Sequence, residues 1–396
     1  MRRTPSRVRV FLSRFRNRYN RVKIAIDIRT IDKPRSGVGY YVTNLVEQLM
    51  TIDDANRYCL ISNDAGFDKG LTGAGNFRHC HTRISNENHL FGDIWENTVL
   101  PRSLEKMGID IFHGPAFMIP LFKGDLRTVA TIHDIVAFIL PHTIPKKYSL
   151  YMKLLISQVV KRADRIISVS ESTKADLVTW LGTPEDKIDV VPQGVSSRFV
   201  PASPDDDGQT IRKKYGIRGD YYLFVGNLEP RKNLIRIMQA FEAARDSLGR
   251  DIQLVVCGKK GWLYDDIIAA YHRIKRDSEI ILTNYVDERD LLGLYQHARI
   301  FLFPTLYEGF GMPVLEAMAA GAPVVTSNVS SFPEICGDAA LLVDPYDIGA
   351  IAGAILDVED SAELRAELRE RGLRRVQDYT WRATAEKTLD VYRSLG

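Results

Sequence analysis

The strongest constraint on this chain is an alternation of two periodicities that runs twice. From Val22 onward, short apolar, β-branched runs alternate with longer helical patterns. Parallel strands cannot be joined by a tight turn, so each pair needs a crossover, which a helix usually supplies. The first series offers "VKIAIDI" (22–28), "RYCLIS" (57–62), "IDIFHG" (109–114), "RTVATIHD" (127–134), "RIISVS" (165–170) and "KIDVVP" (187–192) as strands, with helical segments such as "YYVTNLVEQLM" and "ESTKADLVTWL" between them. A polar stretch rich in Pro, Asp and Gly, "PASPDDDGQT" (201–210), breaks the pattern. It restarts with "YYLFVG", "IQLVVCG", "EIILTNYV", "RIFLFPT" and "APVVTS". At 396 residues the chain also exceeds what one hydrophobic core usually serves. The sequence therefore predicts an α/β protein with two Rossmann-like, doubly wound parallel-sheet domains, 22–200 and 211–380, facing a central cleft.

The charge distribution argues against a nucleic-acid partner. Residues 1–23 carry nine Arg or Lys and no acid, which leaves 44 basic against 50 acidic residues in the remainder. The body is net negative and the basicity belongs to the tail. Within 1–21, "RVRVFLSRFRNRYNRV" spaces apolar residues by three and four with arginines opposite. This is the pattern of a basic amphipathic helix on anionic inner-membrane lipids, with a solvated leader as the alternative. No secretory h-region and no run of about 18 apolar residues is present, so neither a signal peptide nor a membrane span is expected. Cys59, Cys80, Cys257 and Cys336 lack C-x-x-C spacing and read as reduced, buried thiols of a cytosolic protein.

In doubly wound sheets ligands bind beyond the carboxyl ends of the strands, and four constellations fall there. "RSGVGYYVTNL" sets Gly37, Gly39 and Tyr40 at a turn entering a helix, a cradle for an anionic or hydroxyl-rich group. Val42 stands where a dinucleotide fingerprint wants a third glycine. "TIHD" closes a strand with His133, which reads either as a packed structural residue or as a contact to a sugar or acceptor; His113 is a weaker case. "FVGNLEPRKNL" ends a strand at Gly226, continues with Asn227, and sets Arg231 and Lys232 at a helix start. Cations there oppose the helix dipole unless a phosphate lies between them and the free amides; a solvated charge pair is the alternative.

The fourth stretch is "YEGFGMPVLE". Glu308 lies in a loop after a strand, the amides of Gly309, Phe310, Gly311 and Met312 precede a helix begun by Pro313, and Glu316 falls near the end of its first turn. Carboxylates at both ends of such a loop suit polyols, because an ionised oxygen pairs strongly with hydroxyl donors. The acid pair of a glycosidase would not normally come from one loop and helix start.

Together, "YEGFGMPVLEAMAAGAPVVTS" with its E-x7-E pair, "GNLEPRKN", "TIHD", "SGVGYY", "SVSESTKADL" and the closing "YTW" resemble the retaining glycosyltransferases of family four, from about Val22 to the C-terminus. The resemblance implies the GT-B fold, with a nucleotide-sugar-binding second domain, an acceptor-binding first domain, and a last helix (381–396) that crosses back to the first. It assigns the diphosphate to Lys232 and Arg231, the ribose hydroxyls to Glu316, and the donor sugar to Glu308 and the amides of Gly309, Phe310 and Gly311. His133 is placed beside the transferred sugar, and Gly37 to Gly39 near the phosphate and acceptor. Many relatives have Arg where this chain has Asn227, which puts more of the phosphate charge on Arg231 and Lys232.

The same resemblance implies a metal-independent reaction without a cofactor, in which the leaving phosphate takes the acceptor's proton. "GNLEPRKN" looks most like bacterial enzymes of surface polysaccharide (O-antigen) assembly that add mannose or a deoxyhexose. The expected donor is thus GDP-mannose, the acceptor a lipid-linked glycan, and the location the cytoplasm or the cytoplasmic face of the inner membrane. The rivals are a UDP- or dTDP-sugar donor (glucose, GlcNAc or rhamnose), a sugar-nucleotide epimerase of the same fold, and a non-catalytic partner of an active enzyme.

Overall fold

The computed structural model describes residues 21–31, 37–64, 75–84, 89–249, 251–274 and 279–396. The tail expected to form a basic amphipathic helix, up to residue 20, lies outside the described residues, as do Arg35 and Ser36 of the glycine turn.

The first sheet has seven strands: β1 (Lys23–Asp27), β2 (Arg57–Ser62), β3 (Phe77–His81), β4 (Ile111–Gly114), β5 (Arg127–Ile132), β6 (Arg165–Ser168) and β7 (Ile188–Val190). Their order is β3-β2-β1-β4-β5-β6-β7, with every pair parallel. The second has six: β8 (Tyr221–Val225), β9 (Gln253–Cys257), β10 (Ile280–Asn284), β11 (Ile300–Phe303), β12 (Val324–Ser327) and β13 (Leu341–Val343), in the order β10-β9-β8-β11-β12-β13. Each order reverses once, beside β1 and β8, which opens the crevice where such sheets hold ligands. Central strands are buried on both faces, so β8 "YYLFV" and β11 "IFLF" are unbroken apolar runs.

Two strands were not apparent from sequence. β3, "FRHCH", is an edge strand that buries only Phe77, so it carries no apolar run; β13 is three residues long. A third difference is a correction. Cys59 on β2 and Cys80 on β3 form a disulfide, with Cα atoms 5.9 Å apart, where reduced thiols were expected. Ile61 pairs with Cys80, so both sulfurs share a face of two adjacent strands, a proximity invisible in their spacing. Cys257 and Cys336 are free and buried.

Six helices bear on the site: α1 (Gly37–Ile52), α2 (Lys146–Arg162), α3 (Glu171–Leu181), α4 (Leu234–Leu248), α5 (Met312–Ala319) and α6 (Trp381–Arg393). The last of these follows the second sheet in sequence yet packs on the first. Trp381, Ala385, Leu389 and Tyr392 join the cluster formed by Tyr41, Leu45 and Val46 of α1. The Tyr392 hydroxyl lies 2.6 Å from His113 Nδ1, and His113 Nε2 lies 2.8 Å from the Thr131 hydroxyl. Burial pushes the His113 pKa down to about 3, so this histidine is a neutral strut below the cleft.

Candidate active site

The loop after β11 is held from beneath by hydroxyls. Ser331 Oγ donates to the carbonyl of Phe310 (2.6 Å), the Ser330 hydroxyl donates to that of Glu308, and Ser170 (2.6 Å) and Thr173 (3.2 Å) donate to the carbonyl of Gly309. In a trans peptide the C=O of one residue and the N–H of the next point in opposite directions. Fixing three successive carbonyls therefore turns the amides of Gly309, Phe310 and Gly311 the other way, just ahead of α5. Gly311, at φ +105°, makes the entry to that helix. The result is a row of donors reinforced by a helix N-terminus, a site for negative charge.

Beside this row sits a compact charge cluster. Glu308 Oε1 accepts from Lys232 Nζ at 2.6 Å and from Arg231 at 2.8 Å, and Arg231 Nε also reaches Glu229 at 3.3 Å. Burial pushes the Glu308 carboxyl up, but the two cations outweigh it and hold it below its ordinary value, so it is ionised. Burial pulls Lys232 down against the opposing pull of Glu308. The sequence placed both cations at the start of a helix. They lie instead in a short 3-10 turn, Pro230–Lys232, and Asn233 at φ +62° separates them from α4. Their charge is directed at Glu308 across the site, so no dipole conflict arises. Gly226, directly after β8, donates its N–H to the Cys257 carbonyl (2.8 Å), and the exposed Asn227 amide reaches Glu229 at 3.3 Å.

Glu316 occupies the second turn of α5, not the end of the first. It is half-buried, takes a hydrogen bond from the Tyr295 hydroxyl (3.1 Å), and burial raises its pKa to about 7. Arg198, which draws that value down, packs over the Tyr40 ring at 5.3 Å and pairs with Glu288. Sequence reasoning missed Arg198, whose only signal is a lone basic residue in the Ser-rich loop after β7. Gly37 and Gly39 form the first turn of α1, and Met312 packs against the cluster that contains Tyr41 and Val42 of that helix. The starts of α1 and α5 therefore converge on the cleft.

His133 follows β5 directly. Its Nε2 lies 2.8 Å from the Pro115 carbonyl, which only an N–H can satisfy, so Nδ1 accepts from the Gln193 amide at 3.2 Å. Both ring nitrogens are thus engaged, burial lowers the pKa, and the Tyr41 ring packs edge-on at 4.9 Å. The imidazole is a neutral wall of the site. Its own carbonyl touches the second domain: a Cβ on Gly309 would lie 1.6 Å from it.

Other contacts across the same seam were not apparent from sequence. The Tyr307 hydroxyl donates to Asp176 (2.8 Å) and accepts from the Ile135 N–H (3.3 Å). Glu334 accepts from the first amides of α3. These pairs are far apart in sequence, so no local pattern marks them.

The model of glycosyltransferase family 4 matches residues 35–199, and that of glycosyl transferases group 1 matches residues 207–375. An O-antigen chain mannosyltransferase B of Escherichia coli is 31% identical over 386 residues, spanning 94% of this chain and 100% of its own. Among solved structures, a sucrose-phosphate synthase from Thermosynechococcus elongatus superposes with a TM-score of 0.75 at 19% identity, over 95% of this chain and 99% of its own. An Anabaena protein, Alr3699/HepE, in complex with UDP and glucose superposes at 0.71 with 15% identity, over 94% and 100%. With both halves matched and one relative aligned along nearly the whole length, the chain belongs to glycosyltransferase family 4 and has the GT-B fold.

Proposed function

We propose that this glycosyltransferase moves mannose from GDP-mannose to a lipid-linked glycan in surface polysaccharide assembly, with retention at the anomeric carbon. The observation that carries the reading is the row of amides from Gly309 to Gly311 beside Lys232 and Arg231. Breaking the bond between the anomeric carbon and the β-phosphate oxygen builds negative charge on the departing diphosphate. Fixed cations and amides stabilise that charge more in the transition state than in the ground state. An acceptor hydroxyl takes over the anomeric carbon, and its proton passes to the leaving phosphate.

In this reading Lys232 and Arg231, helped by Asn227 and the backbone at Gly226, hold the diphosphate, and Glu308 turns from its cations to hydroxyls of the donor sugar. Glu316 takes the ribose, His133 walls the sugar, and Gly37, Gly39 and Tyr40 close on the phosphate from the first domain. Because side chains and amides supply the positive charge, turnover is expected without a bound metal and to survive chelation by EDTA. The mannose donor is supported by the O-antigen mannosyltransferase relative.

No helix among the described residues is long and apolar enough to cross a membrane. Attachment to the cytoplasmic face of the inner membrane would rest on the basic, apolar-spaced residues 1–21, and unchanged fractionation after their deletion would remove that role.

The functional test is equilibrium binding of GDP, UDP and dTDP, with Glu316→Ala and Lys232→Ala alongside. Selective GDP binding that weakens in both variants is expected. Preference for UDP or dTDP would keep the transferase and overturn mannose; no nucleotide binding would overturn the donor site.

A further inference from the structure

Arg231, which contacts Glu308, also lines a cavity of about 180 Å³ that no residue of 308–316 lines. Its walls come from both domains: Phe117, Asp134 and Tyr148 from the first, Glu229, Arg231 and Trp262 from the second. The Leu228 N–H donates to the Lys259 carbonyl (2.8 Å) and the Gly261 N–H to the Leu228 carbonyl (3.2 Å), which fixes the chain just before Trp262. The Trp262 ring then meets Tyr148 of α2 edge-on, with centroids 4.3 Å apart, while staying 39% exposed. Phe117 holds φ at +69°, which a bulky residue rarely adopts, and its ring packs against His133 at 5.6 Å. Three aromatic residues, two of them in contact with each other, thus line the space together with aliphatic side chains such as Val136 and Ile144.

The polar groups select by charge. Asp134 Oδ1 accepts the Val136 N–H at 3.0 Å, and among the described residues Oδ2 accepts no hydrogen bond. Arg231 is already shared between Glu229 and Glu308. An anion entering here would meet two carboxylates and an Arg231 committed to Glu229 and to Glu308 or the donor diphosphate, whereas hydroxyls would find Asp134 and the remaining lone pairs of Glu229 as acceptors. Aromatic rings pack well against the C–H faces of a pyranose. The volume is below the roughly 300–1,000 Å³ of sites for drug-sized ligands, and suits a single sugar ring.

We infer that this cavity is the acceptor subsite and takes a neutral, hydroxyl-rich sugar residue, not a phosphorylated or carboxylated one. The inference rests on the transferase reading above and adds to it the acceptor class and the residues that select it. Trp262 and Tyr148 pack on the sugar ring, and Asp134 and Glu229 accept its hydroxyls. Arg231 joins the subsite to Glu308, one side chain away.

The test is saturation-transfer NMR on the full chain with methyl α-D-mannoside and with mannose 6-phosphate, with and without GDP. The neutral glycoside should bind, and binding should weaken about five-fold or more in Trp262→Ala and in Asp134→Asn, the scale of one aromatic or charged hydrogen-bond contact. Trp262→Phe should restore most of it, and unchanged melting curves establish that the variants are folded. Binding that survives both substitutions, or that favours the phosphate, overturns the subsite whatever GDP does. Failure of GDP to bind while the glycoside responds as expected overturns the donor reading and leaves the subsite standing.

Discussion

The carboxylate of Glu334, in the second domain, accepts the backbone N–H groups of Glu171 (2.9 Å) and Ser172 (3.0 Å) at the start of α3, in the first. One domain thus helps cap a helix of the other, next to the cap that Ser170 gives Thr173 (2.9 Å). Such a cap contributes about 0.5–2 kcal/mol, and this one exists only while the domains are together. Glu334→Ala is expected to lower kcat/KM by about 2- to 30-fold through a smaller closed population. Small-angle scattering should show a wider average molecule. Kinetics identical to the parent would show that the cap has no share in closure.

Lys232 should matter for turnover and stability by separable routes. Lys232→Met removes a cation from the leaving group's site, and turnover should fall by about 10²- to 10³-fold. It also leaves the buried Glu308 with Arg231 as its remaining cation, at a cost on the order of 1–3 kcal/mol. Adding Glu308→Gln removes the uncompensated charge, so melting should recover in the double variant while turnover stays low. A double variant as unstable as the single one would refute the electrostatic account.

The Glu316 carboxyl should make nucleotide affinity and ligand-free stability move in opposite directions with pH. Burial raises its pKa from an ordinary 4.5 to about 7. A raised carboxyl binds its proton more tightly in the folded state. Its contribution to stability is therefore complete below about 4.5 and is lost as pH climbs through about 7. The ionised form is the better acceptor for ribose hydroxyls, so nucleotide affinity should rise over the same interval, by up to about tenfold between pH 6 and 8. Calorimetry and thermal melts on the parent and on Glu316→Gln check both slopes, and the variant should flatten each. A parent whose affinity does not change with pH would remove Glu316 from the ribose site.

What was legible in the sequence was what the backbone dictates locally. Buried strands such as β8 and β11 announce themselves as unbroken apolar runs, and the Gly-Phe-Gly-Met-Pro stretch announces a loop entering a helix. The polar edge strand β3 has no such run. The direction of Arg231 and Lys232 was misread because local rules see only the helix that follows; Glu308, 76 residues beyond Lys232, decides where the charges point. Glu334 and Arg198 stayed hidden for the same reason, since their partners appear only once the two sheets stand end to end. The disulfide also depended on adjacency: two cysteines 21 residues apart meet because β2 and β3 are neighbours.

Gly309 offers the sharpest test of whether turnover needs the seam closed. Its backbone does not lie in the left-handed region, so alanine is conformationally acceptable within the second domain. What excludes a side chain is the first domain: an added Cβ would lie 1.6 Å from the His133 carbonyl oxygen and 2.7 Å from its carbon. That backbone follows β5 directly and cannot yield as a flexible side chain would. Gly309→Ala is therefore expected to hold the domains apart, lowering kcat by about 100-fold or more as acceptor and donor lose alignment. Nucleotide binding should change far less, because Lys232, Glu308 and Glu316 all stay in the second domain. Gly311→Ala is the contrast, since φ +105° and a Cβ 2.6 Å from the Phe332 ring place the strain inside that domain. It should lower the melting temperature together with nucleotide affinity. If Gly309→Ala turned over at the parental rate, the seam would be dispensable, and the contacts of His133, Ser170 and Glu171 with the second domain would be packing alone.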